Sequence, residues 1–146
     1  MIATGYRNNF QAVPSLGPDG NASTITTLED AVHTGEAWRR LLWEPGDAVV
    51  GATAGASCFG AAYEFLFDTS YQLRRAGLKS KVKLTYVSSE PFLGHFGIGG
   101  LPHGESLVGM FLNKEGSIRC SASPWTMSTT VGWCWPTAEP STSPSR

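Results

Sequence analysis

Cysteine is scarce in this sequence. The three residues, at 58, 120 and 134, have no CxxC spacing among them. That pattern argues against a zinc ribbon or a disulfide framework, and it sets a reducing compartment as the expectation. A surplus of either charge is also missing: 11 Lys and Arg against 12 Asp and Glu leave a net charge of −1. With no basic excess to neutralise phosphates, nucleic-acid binding is not expected. No apolar run approaches the roughly 18 residues that a membrane-spanning helix needs. Met1-Ile2-Ala3-Thr4 shows neither the basic nor the apolar region of a signal peptide. What is present suffices for a core. Of 146 residues, 41% are hydrophobic and 16% charged, which suits one domain or part of a larger one.

Residues 117–146 stand apart. Ser, Thr and Pro fill 16 of those 30 positions, Leu is absent, and three of the five Trp fall there. Neither a helical nor a strand period runs through the segment. The expectation is an unstructured tail, with the composition of a frameshift product.

The middle of the chain is well patterned. Thr27 is set to cap a helix running to about Trp43, with Asp30 at the capping-box position. Its expected buried face is Leu28, Ala31, Val32, Trp38, Leu41 and Leu42. Glu44-Pro45-Gly46-Asp47 is turn chemistry, and Ala48-Val49-Val50 follows as a short apolar strand. After a run of small residues, Cys58 to Ala76 has helical spacing, with Ser57 as its expected N-cap and Gly77 as its stop. Lys81 to Val87 alternates as a strand does. Phe92 to Gly104 holds five glycines, and Glu105 to Lys114 is a further short helix. Strand, small-residue turn, helix and strand in succession predict an α/β fold with a parallel sheet.

A glycine-rich turn between strand and helix normally cradles a pyrophosphate. Here the glycines fall at 51, 55 and 60 rather than in GxGxxG, and a cysteine stands where the helix begins. Glu90, at the end of the next strand, occupies the place of a ribose-binding acid. Cys58 is the sharpest candidate: the first turn of a helix favours the nucleophilic thiolate. The alternative is a buried cysteine packing as a small hydrophobe. His95, within Gly94-His95-Phe96-Gly97, is either the wall of a substrate pocket or a hydrogen-bonded loop side chain. No metal site is expected.

Taken together, Val49-Val50-Gly51-Ala52, Gly55-Ala56-Ser57-Cys58-Phe59-Gly60, Tyr63-Glu64-Phe65, Ser89-Glu90-Pro91 and Gly94-His95-Phe96-Gly97-Ile98 resemble the sulfide:quinone oxidoreductase family. That family belongs to the flavin-dependent pyridine nucleotide–disulfide oxidoreductases. Ile2-Ala3-Thr4-Gly5 resembles the superfamily's ATG motif, which passes near FAD. The resemblance implies that residues 1–44 end a first FAD-binding module and its linking helix, and that 45–116 form a second, Rossmann-like module. Ala3, Thr4 and Gly5 would be cofactor-binding, Cys58 a catalytic redox cysteine and His95 part of the substrate pocket. It also implies FAD as cofactor, sulfide and quinone as substrates, and peripheral membrane contact. Where some relatives carry a further cysteine, this chain has Thr26. Because the full first module is missing, the chain resembles an internal fragment that is inactive alone. A related NAD(P)H dehydrogenase, a sulfide dehydrogenase paired with a cytochrome, and a truncated non-catalytic product remain as alternatives.

Overall fold

The computed structural model describes residues 5, 7–13, 16, 17, 19, 20, 22–53, 56 and 58–115, and the backbone of 118–122 and 131–134; residue 12 is also described by backbone alone. A single 3-10 turn, Phe10–Ala12, precedes β1 (Ala22–Thr24), α1 (Leu28–Trp43), β2 (Ala48–Ala52), α2 (Gly60–Arg75), β3 (Leu84–Ser88), α3 (Gly104–Glu115), β4 (Ile118–Ala122) and β5 (Val131–Cys134). The strands form one sheet in the order β1-β5-β2-β3-β4. β2, β3 and β4 run parallel, with Val50 opposite Tyr86 and Tyr86 opposite Cys120. β5 is inserted antiparallel between β1 and β2. The α/β expectation therefore holds, and two successive helical crossovers build the parallel run.

Strand alternation decides which side chains enter the core. Ala48, Val50 and Ala52 of β2 and Leu84, Tyr86 and Ser88 of β3 are buried, while the residues between them are only partly so. The buried row packs against Ala62, Tyr63, Leu66 and Leu73 of α2, Leu41 of α1, and Val108 and Leu112 of α3. All three helices thus cover the same face of the sheet. Gly51 lets β2 and β3 approach: a Cβ there would lie 2.3 Å from the Val87 carbonyl oxygen.

α1 starts where its cap predicts, since the Thr27 side chain accepts from the Asp30 amide at 3.1 Å. Its buried face differs from expectation. Leu28 is 77% exposed and Val32 55%, whereas Asp30, Thr34 and Ala37 join Leu41 inside. Thr34 turns inward because its hydroxyl donates to the Thr24 carbonyl at 2.7 Å, tying the helix to β1. α2 begins at Gly60 rather than Cys58, because the Phe59 carbonyl is the first to accept, from Ala62 and Tyr63. It ends as expected: Gly77 adopts φ +70, and the Leu78 amide closes back onto the Leu73 carbonyl at 2.9 Å.

Within 117–146 the described residues form two short strands, β4 and β5. Strand pairing with β3 and β2 supplies the order that these residues' own periodicity does not signal. The rest of that segment lies outside the described residues.

Candidate functional site

The carboxyl ends of the parallel strands β2 and β3 lie side by side, the edge where open α/β sheets form their sites. The turn leaving β2 carries Cys58, and the turn leaving β3 carries Glu90 and the glycine-rich loop. Cys58 is a free, exposed cysteine. It lies just outside the first turn of α2 rather than within it, and the expected N-cap Ser57 lies outside the described residues. Phe59, at the capping position, makes no side-chain cap and is buried at 7% exposure. The chain thus sinks its ring into the core and leaves the preceding thiol facing outward. Gly60 keeps the space beside the sulfur open, since a Cβ there would lie 3.6 Å from Sγ.

Glu90 does not wait for a ribose. Its side chain is buried, and its two carboxylate oxygens are engaged by the protein itself. Oε2 accepts from the hydroxyls of Tyr63 at 2.7 Å, Ser88 at 2.9 Å and Tyr86 at 3.3 Å, and Oε1 accepts from the Phe96 amide at 2.7 Å. Tyr63 in turn accepts from the Gly94 amide at 3.2 Å. Burial first, then the neighbouring Glu90 carboxylate, pushes the Tyr63 hydroxyl far up from its ordinary value. Burial first, then Tyr63, does the same for Tyr86. Both tyrosines therefore stay protonated and able to donate. Among the described residues Glu90 makes no ion pair, and its buried carboxyl group is met by four oriented donors instead.

This cluster shapes the loop. Phe96 takes a left-handed backbone with φ +56, a conformation that costs a non-glycine residue on the order of 1 kcal/mol. Its ring packs edge-on to Tyr63 with centroids 5.4 Å apart. Gly94, at φ +83, has no room for a side chain, because a Cβ would meet the Gly104 carbonyl carbon at 2.8 Å. His95 sits between them, partly buried. Its Nδ1 accepts from the Gly97 amide at 3.2 Å, and its ring meets Phe92 edge-on at 5.2 Å. His95 is thus a hydrogen-bonded loop residue, in the turn that leaves β3 beside the turn that carries Cys58.

Of the expected cofactor residues, Ala3 and Thr4 lie outside the described residues. Gly5 is exposed, with φ +72 and nothing within 4 Å of where a Cβ would be. Thr26 bonds through its hydroxyl to the Asn8 amide group and to Thr24 Oγ1. No group of three or more potential metal ligands occurs among the described residues.

Two features carried no sequence signal. Glu115, at the end of α3, receives Ser70, Arg74 and Lys79 at 2.5–2.7 Å. A cleft of about 380 Å³ lies between α1 and α2, lined by Ile25, Thr34, Trp38, Phe65, Asp68 and Gln72 among others. None of the expected site residues borders it.

No family model matches the chain. The chain is 43% identical over 108 residues to the sulfide-quinone reductase of Aquifex aeolicus (strain VF5), across 74% of this chain and 24% of that protein. The solved structure of the sulfide:quinone oxidoreductase from the hyperthermophilic bacterium Aquifex aeolicus matches with a TM-score of 0.70 at 38% identity, over 75% of this chain and 26% of that one. The expected resemblance therefore holds in sequence and in fold, and the chain spans about a quarter of the length of these relatives.

Proposed function

From the premise that these residues are kin to part of a sulfide:quinone oxidoreductase, we propose that the chain is a segment of an FAD-dependent enzyme that oxidises sulfide and passes electrons to a quinone. Cys58 is its redox thiol. The observation that carries this reading is the exposed Cys58 at the carboxyl end of β2, directly before α2. A buried small hydrophobe would not stand there. His95 forms part of the pocket wall on the same edge. Contact with a quinone brings a peripheral membrane position with it, and no helix among the described residues is long and apolar enough to cross a membrane.

FAD, when bound, supplies a two-electron acceptor beside the thiol. Ala3, Thr4 and Gly5 would hold it. Gly5 is exposed, and its left-handed backbone at φ +72 favours glycine. The remaining pyrophosphate cradle and the partner cysteine belong to other parts of such an enzyme, so the segment alone is proposed to be inactive. The engagement of Glu90 favours sulfide chemistry over a pyridine-nucleotide dehydrogenase, because its carboxylate is buried and both oxygens already accept from the protein rather than facing a ribose.

Cys58 itself has a testable chemistry. Its thiolate attacks a terminal sulfur of a polysulfide; that S–S bond breaks, a Cys58 persulfide forms, and the shortened polysulfide leaves with the electron pair. Incubating the purified chain with polysulfide and mapping the peptides by mass spectrometry should show one added sulfur atom on the Cys58 peptide. Unmodified Cys58, under conditions that load sulfur onto a small-molecule thiol, would overturn the assignment.

A further inference from the structure

We propose that Glu90 is a positioning residue of this site, the latch that fixes the Gly94–Gly97 loop and with it the orientation of the His95 ring. The functional meaning rests on the reading above, but the latch is measured without sulfide, flavin or turnover. Failure of one therefore leaves the other standing.

The two Glu90 side-chain oxygens accept from three hydroxyls and one amide. Two of the links reach the loop. The Phe96 amide bonds Oε1 directly, and the Gly94 amide bonds the Tyr63 hydroxyl that itself donates to Oε2. The residues flanking His95 are thus held to α2 and β3 by one carboxylate. Phe96 needs such a hold, because its left-handed backbone has no intrinsic preference to stay there. Only with that backbone fixed does the Gly97 amide reach His95 Nδ1. This bond makes Nδ1 the acceptor and puts the proton of the neutral ring on Nε2. Nε2 is then the ring nitrogen that presents a donor.

Glu90→Ala removes both acceptor oxygens, and with them the direct hold on the Phe96 amide and the partner that orients the Tyr63 hydroxyl toward Gly94. Hydrogen exchange at the Phe96 and Gly94 amides should accelerate roughly tenfold or more, the loss expected for a buried hydrogen bond. The amide chemical shifts of Val50 and Leu84 in the sheet should stay in place, confining the structural change to the loop. The ¹⁵N resonances of the His95 ring at pH 8 should move from the Nε2–H pattern toward a mixture of tautomers. Tyr63→Phe keeps the ring packing and should reproduce the effect at Gly94. Unchanged loop exchange and an unchanged His95 tautomer in both variants would overturn the proposal. So would displaced amide resonances throughout β2 and β3 in both, since Glu90 would then be holding the core rather than the loop.

Discussion

The Tyr63 hydroxyl and the Glu90 carboxylate meet at 2.7 Å, joining residues 27 positions apart in the chain. That contact links the first turns of α2 to the loop after β3, and so ties together the two turns that carry Cys58 and His95. Its energetic weight is open to measurement. Tyr63→Phe leaves Glu90 one donor short and the Gly94 amide without its acceptor. It should destabilise the fold by about 1–3 kcal/mol. Tyr86→Phe, whose bond to Glu90 is longer at 3.3 Å, should cost less. Urea unfolding of both variants checks the order.

Gly51→Ala should be more damaging. Its Cβ would lie 2.3 Å from a backbone oxygen of β3, which no side-chain rotation can relieve. The strands must part, at a cost of roughly 2–4 kcal/mol. The loss should appear in thermal unfolding and in faster exchange of the β2 and β3 amides.

Acid should weaken the junction of α2 and α3. Burial alone would raise the Glu115 carboxyl, but hydrogen bonds from Arg74, Lys79 and Ser70 outweigh it and hold it at about 2, against 4.5 for the free group. A value lowered by folding means stability that is fully present above pH 4.5 and is lost as pH falls toward 2. Arg74 is half exposed, which weakens its share. The whole effect should be of order 1–2 kcal/mol. Glu115→Gln should be less stable at neutral pH and should show a shallower decline across that window in denaturant midpoints.

Helix capping gives a smaller effect. Thr27→Ala removes the acceptor of the Asp30 amide and should cost about 1 kcal/mol, without altering the Cys58 environment. Far-UV circular dichroism during unfolding, compared with Cys58 alkylation rates, separates the two.

The legible parts of the molecule were those governed by local chemistry. Thr27 and Asp30 marked the start of α1, Gly77 the end of α2, and the alternation before Val87 the strand β3. The buried face of α1 was not legible. Leu28 and Val32 share a helix with Leu41, yet only Leu41 meets the single helix layer, while Thr34 is drawn inward by a bond to β1. β4 and β5 are only 5 and 4 residues long, too short to show a strand period of their own; their order comes from partners distant in the chain. At the site, Cys58 and His95 stood out by residue type and setting. The role of Glu90 did not, because a carboxylate at a strand end has the same one-dimensional signature whether it faces a ribose or two tyrosines.

The most direct measurement replaces the matching stretch of the Aquifex aeolicus enzyme with residues 48–115 of this chain and follows sulfide-dependent quinone reduction. The account predicts a flavin-loaded chimaera that turns over sulfide, and a Cys58→Ser version that keeps its flavin but loses activity on the order of 100-fold or more. A folded, flavin-loaded chimaera that does not oxidise sulfide, or one whose Cys58→Ser version is equally active, would contradict it.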